Sequence, residues 1–284
     1  MIKQKKLALI SGAAGGIGQA IARKLHAQGY QLLLVDREEQ ALLTMQQGFA
    51  NSLIEVCDLA NAQSLEALCR KVEALTQPLE IAIINAGIII PGDTVTLSRR
   101  QLDQHLDVNL RSAMHLNHAC AGKMQTQGNG HLINTVSMSA FIALKGSAAY
   151  TATKFGLRGF LLPLAAELAP HGVSVSAVYP SGIDTPMLRY EALNGGSPLN
   201  FINQPHSADD VAAIMLRALK TKKLEYYVPY GDSVFGRLVC SFPWVLMPLY
   251  PLLQWWGERG RKKFISSRNL TMTASSVATE NECR

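Results

Sequence analysis

Short runs of Ile, Leu and Val alternate with longer amphipathic stretches over the first 230 residues of the chain. The runs at 7–10, 32–35, 53–57, 81–84, 132–136 and 173–178 read as buried parallel strands. Strands covered on both faces lose the apolar–polar alternation and become continuously hydrophobic. The spacers at 16–28, 38–47, 61–75, 98–127, 148–170 and 207–220 are long enough for helices, and a last strand near 225–228 closes one edge. This β-α-β-α order predicts an α/β fold: a doubly wound parallel sheet with helices on both faces. Ligands of such sheets sit beyond the carboxyl ends of the strands, so chemistry is expected there. Residues 1–232 read as this single domain, 233–270 as an apolar and basic extension, and 271–284 as a polar, disordered tail.

The first strand runs directly into S-G-A-A-G-G-I-G, residues 11–18, which opens the first helix. Gly12, Gly16 and Gly18 let the backbone turn sharply and approach a pyrophosphate, whose charge suits a helix N-terminus. Ser11, Gly15 and Ile17 belong to the same loop. A tight strand-to-helix turn with small residues for packing would read the same way, so the glycines need context. Asp36 supplies it by ending the second strand, eighteen residues after Gly18. A carboxylate there accepts hydrogen bonds from an adenosine ribose and repels a 2′-phosphate, which favours NAD in a Rossmann-type site. It would equally serve as an acidic cap for the next helix. Arg37 could pair with a 2′-phosphate and keeps NADP open.

Tyr150 and Lys154 form Y-T-A-T-K, and their spacing of four puts both on one helix face. An ammonium beside a phenol favours the phenolate, so Lys154 is expected to lower the tyrosine pKa and ready it for proton exchange with a substrate oxygen. Such a pair also arises on solvated helix faces. Ser137 ends the strand H-L-I-N-T-V-S thirteen residues earlier and could hold the same oxygen, with Ser139 its rival.

The glycine motif, I-N-A-G at 84–87, Asn109, Ser137 and Y-x-x-x-K together resemble the short-chain dehydrogenase/reductase family, in its order and spacing from about Lys5 to Tyr230. The resemblance implies an NAD(P)-dependent enzyme interconverting an alcohol and a ketone or aldehyde. It makes Tyr150 the general acid/base, Lys154 its activator and ribose ligand, Ser137 the substrate-orienting group, and Asn109 the holder of a water that links Lys154 to solvent. It places Asp58 with Leu59 at the adenine, and Asn85, Ala86 and Gly87 along the cofactor cleft. Pro180, Ile183 and Thr185, in Y-P-S-G-I-D-T-P, become nicotinamide contacts. The chain departs from the family at Ser181, where glycine is usual, at Ser11, which replaces threonine, and at Ile84, which replaces an asparagine.

Residues 186–206 resemble the family's variable substrate lid. Its apolar members Met187, Leu188, Leu199, Phe201 and Ile202 suggest a lipophilic substrate of steroid, retinoid or fatty-acyl type, although helix packing explains them equally well. Two further readings stand beside this one: an NADPH-dependent 3-oxoacyl or carbonyl reductase, and a nucleotide-sensing or scaffold protein that binds cofactor without turnover. The intact Ser-Tyr-Lys-Asn set speaks against the last.

From Leu238 to Trp256 the chain carries no charge, and G-E-R-G-R-K-K follows. Pro243, Pro248 and Pro251 argue against a straight spanning helix and are expected to break the run into short pieces. Aromatics beside a basic cluster suit a segment lying in a membrane interface, residues 238–263, while the competing use is packing in a homodimer or homotetramer. From Ser233 onward the stretch carries +4 of the formal +6, so the domain before it is nearly neutral and shows no basic stripe of a nucleic-acid binder. Five scattered cysteines without paired spacing suggest free thiols in a reducing, cytoplasmic compartment, and neither cysteines nor histidines show metal-ligand spacing. The basic start and short apolar run at 7–10 read as a strand rather than a signal peptide.

Overall fold

The computed structural model describes residues 6–271. The expected disordered tail lies almost entirely outside them. Seven parallel strands form one sheet in the order β3-β2-β1-β4-β5-β6-β7. They are β1 (Leu7–Ser11), β2 (Gln31–Asp36), β3 (Leu53–Val56), β4 (Leu79–Ile84), β5 (Gly130–Thr135), β6 (Val173–Pro180) and β7 (Glu225–Val228). Strand order reverses direction at β1, whose neighbours are β2 and β4, and the crevice above that reversal is where ligands bind such sheets.

Two cores sandwich the sheet. Along β1, Leu7 and Leu9 enter one core while Ala8 and Ile10 enter the other, as the two-residue strand period requires. The first core joins α3 (Ala62–Glu73), α5 (Ser112–Gln127) and α6 (Ala148–Leu168) to the sheet through residues such as Leu68, Leu116 and Leu161. The second holds α1 (Gly16–Ala27), α2 (Glu39–Gly48) and α8 (Ala208–Thr221) through Ile21, Leu42 and Met215. An irregularity in the β1–β4 pairing sets Leu7 opposite Leu79 but Ala8 opposite Ile81. Glu80 is the extra residue, and it ion-pairs with Lys6 at 2.9 Å.

Three sequence expectations change. The strand at 53–57 is not buried: β3 is an edge strand whose Leu53 and Val56 are exposed. The single helix over 98–127 is divided into α4 (Arg99–Leu106), a π-helical turn at Asp107–Arg111, and α5. The extension does not fragment at every proline. Helix α9 (Tyr230–Ser241) starts directly after β7, a short turn spans Pro243–Val245, and α10 (Leu246–Ser267) then runs for 22 residues. Pro248 lies in the first turn of α10, where no intrahelical N–H bond is due, and Pro251 forgoes only one such bond. Between β6 and α8 the segment expected to form the lid holds α7 (Pro186–Leu193) and a 3-10 turn at Pro198–Phe201.

Candidate active site

The carboxyl ends of β1, β4, β5 and β6 bring the expected residues to one crevice. Gly12 has φ of +64°, and a Cβ there would lie 2.7 Å from the Ala86 Cα. At Gly18 a Cβ would come within 2.1 Å of the Gly12 carbonyl oxygen. Side chains would destroy this turn, which leads into α1 with Gly15 at its N-cap position and no side chain capping the helix. A Cβ at Gly16 would sit 2.9 Å from the Thr185 methyl, so the glycine loop faces the segment that enters the lid. Thr185 itself accepts from the Leu188 N–H at 3.5 Å and starts α7.

Asp36 closes the loop from the other side. One carboxylate oxygen accepts from the Ala14 N–H at 2.9 Å, and the other from Arg37 N–H at 2.8 Å. Arg37 turns its guanidinium to Glu38, 3.1 Å away, on the exposed surface. Asp58 is exposed and Leu59 buried just after β3. The Ser11 hydroxyl accepts from the Asn85 N–H at 3.0 Å and from Ala86 N–H at 3.3 Å. Asn85 in turn donates to the Gly12 carbonyl at 3.1 Å and accepts from the Thr135 hydroxyl at 2.9 Å. One amide thus ties the ends of β1, β4 and β5 together.

Gly87, Asn109 and Lys154 converge: a Cβ on Gly87 would meet the Asn109 Oδ1 at 3.3 Å and the Lys154 Nζ at 3.6 Å. Asn109 is fully buried in the π turn. Its Oδ1 accepts from the Ile88 N–H at 2.7 Å, and its amide donates to the Ile88 carbonyl at 2.9 Å and to the Thr153 hydroxyl at 3.3 Å. Both amide protons are therefore engaged, and the side chain braces the crevice wall. The extra residue of the π turn lets Asn109 face inward here, a placement the α-helical period did not show.

Tyr150 and Lys154 do share a face of α6, but their coupling differs from the expected one. Lys154 donates to the Thr135 carbonyl at 3.1 Å and its Nζ lies 5.5 Å from the centroid of the Tyr150 ring. Burial lowers the Lys154 pKa to about 8. The Tyr150 hydroxyl is not shifted down. Burial and then the nearby Glu191 carboxylate raise it above the ordinary tyrosine value, and a hydrogen bond with Ser137 offsets part of the rise. Lys154 faces the ring and is held by Thr135, and burial outweighs it in setting the Tyr150 hydroxyl. Ser137 also accepts from the Ser139 N–H at 3.1 Å, while the Ser139 hydroxyl is buried with no hydrogen-bond partner.

Glu191 is the residue that sequence reasoning missed. It lies on α7, is 5% exposed and accepts from the Asn200 amide at 3.0 Å. A lone Glu within the apolar lid stretch M-L-R-Y-E-A-L was the available signal. Gly196 makes room for it, since a Cβ there would approach the Glu191 Cβ to 2.6 Å. Ser181 fills the glycine position of the turn after β6 without strain: its φ is not positive, and its N–H donates to the Val228 carbonyl at 2.8 Å. Ile183 beside it is buried. The small residue this turn needs is Gly182, where a Cβ would meet the Asn200 carbonyl at 2.3 Å.

Known proteins share this architecture. Residues 6–194 match the short chain dehydrogenase family. The 3-oxoacyl-[acyl-carrier-protein] reductase FabG of Rickettsia bellii is 36% identical over 181 residues, covering 63% of this chain and 73% of that protein. The short-chain reductase protein NovJ of Streptomyces niveus is 34% identical over 193 residues, covering 66% of this chain and 72% of its own. A short-chain dehydrogenase from Sphingobium yanoikuyae, solved in complex with NADPH, superposes with a TM-score of 0.75 at 22% identity, over 86% of this chain and 95% of that one. On the match over residues 6–194 and these relatives, the chain belongs to the short-chain dehydrogenase/reductase family and is an oxidoreductase that interconverts alcohols and carbonyl compounds with NAD(P).

Proposed function

We propose that the chain is an NAD-preferring alcohol dehydrogenase or ketone reductase for a lipophilic substrate, with Tyr150 as its proton donor and acceptor. The observation that carries this reading is the convergence of Tyr150 and Lys154, with Nζ 5.5 Å from the ring centroid, on the helix that sets Lys154 against Gly87 and Asn109. The glycine loop suits a pyrophosphate because its turn excludes side chains and ends in an uncapped helix N-terminus. Asp36 stands where a ribose would lie, and Arg37 is already paired with Glu38, so the local charge disfavours a 2′-phosphate. A bound nicotinamide dinucleotide supplies or removes the hydride at the substrate carbon.

The residues of the chain handle the proton. In reduction Tyr150 gives its phenolic proton to the carbonyl oxygen as that carbon gains hydride, and in oxidation it takes the proton back. Ser137 orients the same oxygen. Ser139 offers a second contact through its unpartnered buried hydroxyl. Lys154 would hold the ribose and acts on the ring from its face, and Asn109 fixes the wall beside Gly87. Asn85, Ala86 and Gly87 would line the dinucleotide cleft, and Pro180, Ile183 and Thr185 would meet the nicotinamide. The apolar run Ile88-Ile89-Ile90, which continues from that cleft with Ile89 and Ile90 buried, supports a lipophilic substrate. The lid's own apolar residues support it less, because Leu188 and Phe201 pack on Phe264 of α10.

A 3-oxoacyl reductase is the second reading, favoured by the resemblance to the Rickettsia bellii protein. One assay separates the readings from each other and from a protein without turnover: oxidation and reduction of a panel of lipophilic alcohols, ketones and 3-oxoacyl thioesters with both cofactors. Tyr150→Phe is expected to lower turnover of whichever substrate works by at least about 10²–10⁴-fold while NADH binding persists. Near-normal turnover in that variant would refute the assignment of Tyr150.

A further inference from the structure

Helix α10 has two stripes of opposite character. Leu246, Gly257 and Phe264 are buried on the inner stripe. Its outer stripe, spaced by three and four residues, begins with Leu252, Trp255 and Trp256 and continues with Arg259, Lys262 and Lys263. All six outer side chains are exposed. The preceding helix adds Val234 and Leu238, and the intervening turn adds Phe242 and Trp244. Eleven of the twenty-one large apolar side chains exposed among the described residues fall between Val234 and Trp256. A concentration of that kind marks a surface that meets something other than water.

The chemistry of the outer stripe identifies the occupant. It joins apolar, aromatic and cationic side chains on one exposed face, the composition of a segment that lies in a membrane interface. The Arg259 guanidinium lies 4.1 Å from the Trp255 ring centroid, and among the described residues neither Lys262 nor Lys263 has a carboxylate partner. The only acidic side chain on α10, Glu258, is already held by Arg261 at 2.9 Å. A second copy packed on this face would add the same uncompensated cations, whereas anionic headgroups would neutralise them. No single helix among the described residues is long and apolar enough to span a bilayer, and α9 meets the segment after it at 106°. Such a bent pair presents its apolar side chains along a plane.

We propose that the outer face of α9 and α10 lies in the interfacial region of an anionic membrane, with the substrate lid on the protein side of the same helix. The inner stripe already seats that lid. Carbonyl oxygens of Pro198 and Phe201 press so closely on Gly257 and Gly260 that a Cβ at either glycine would overlap them. Arg268, just past the helix end, pairs with Asp184 at the lid entrance at 2.6 Å. Docking through the outer face therefore leaves only α10 between the lid and the lipid surface.

The three tryptophans of the chain are Trp244, Trp255 and Trp256, so emission excited selectively in tryptophan, beyond tyrosine absorption, reports this face alone. Full-length protein is mixed with vesicles of phosphatidylcholine, with or without phosphatidylglycerol. Emission should shift to the blue, be quenched by brominated acyl chains, and show roughly a hundredfold stronger partitioning onto the anionic vesicles, at the usual contribution per basic residue. Trp255→Glu combined with Trp256→Glu should stay at the bottom of a flotation gradient with an unchanged sedimentation mass and melting profile. Should that pair disturb folding, Lys262→Glu with Lys263→Glu touches only exposed polar positions and should abolish the preference for phosphatidylglycerol. Folded wild-type protein that stays with the soluble fraction on both vesicles overturns the proposal. So does loss of oligomeric mass in the tryptophan variant, which would make the face a contact between copies, or unchanged flotation in either variant.

Discussion

Glu191 shows how one buried carboxyl colours both chemistry and stability. Burial raises its pKa to about 8, with only Asn200 opposing the shift through a hydrogen bond. The folded protein thus holds a proton that the unfolded chain releases above about pH 4.5. Stability from this group is complete below that value and is lost as pH climbs towards 8. Glu191→Gln keeps an acceptor for Asn200 and removes the titration. It should match wild type in acid and be more stable near pH 8 by about 1–3 kcal/mol, measured by urea unfolding across the range. A difference that does not change with pH would show that the carboxyl ionises normally. Only above about pH 8, once ionised, does its charge add to burial in keeping the Tyr150 hydroxyl protonated. Little of this could be read from the sequence, because a glutamate reveals its burial only once the chain around Gly196 has folded beneath it. Ser137, Tyr150 and Lys154 were legible for the opposite reason: their spacing is local to one strand end and one helix face.

At the level of elements, glycine has opposite meanings in two helices. Gly159 in α6 has nothing within 4 Å of where a Cβ would be, whereas a Cβ on Gly260 in α10 would meet the Phe201 carbonyl. Gly159→Ala should stabilise the protein by about 1 kcal/mol through helix propensity alone. Gly260→Ala gains the same propensity but forces the lid away, so it should destabilise by about 1–3 kcal/mol. Urea midpoints of the two variants compare them directly, and stabilisation by Gly260→Ala would mean that α10 is not seated on the lid. The parallel strands and most helices could be read from apolar period and length. The π turn and the continuous α10 could not. The first depends on Asn109 finding partners at Ile88 and Thr153, and the second on the lid supplying a surface that outweighs Pro251.

For the molecule as a whole, the crevice joins the two halves of the sheet, with β1–β3 on one side and β4–β7 on the other. A dinucleotide bridging both halves binds the folded state alone, so it should raise the melting temperature by mass action, about 2.7 kcal/mol at a hundred times its Kd. On the proposed reading of Asp36 as the ribose ligand, NADH should give a larger rise than NADPH at equal concentration in a thermal-shift assay. The reverse order would reassign the preference to Arg37, freed from Glu38.

The seating of α10 on the lid also has a consequence for biosynthesis. Strands β1 to β3 are made before β4 to β7, and β2 finds both its neighbours among them, so this part of the sheet can begin to pair while the rest is still being translated, whereas α1 and α3 wait for α8 and α5. The lid emerges next, but Gly257, Gly260 and Arg268, which fasten it, are among the later residues synthesised. A nascent chain therefore passes through an interval in which the sheet is assembled and the lid has nothing to close against. Ribosomes that stop before α10 is made would release chains with the sheet assembled and the segment 186–206 left unfastened.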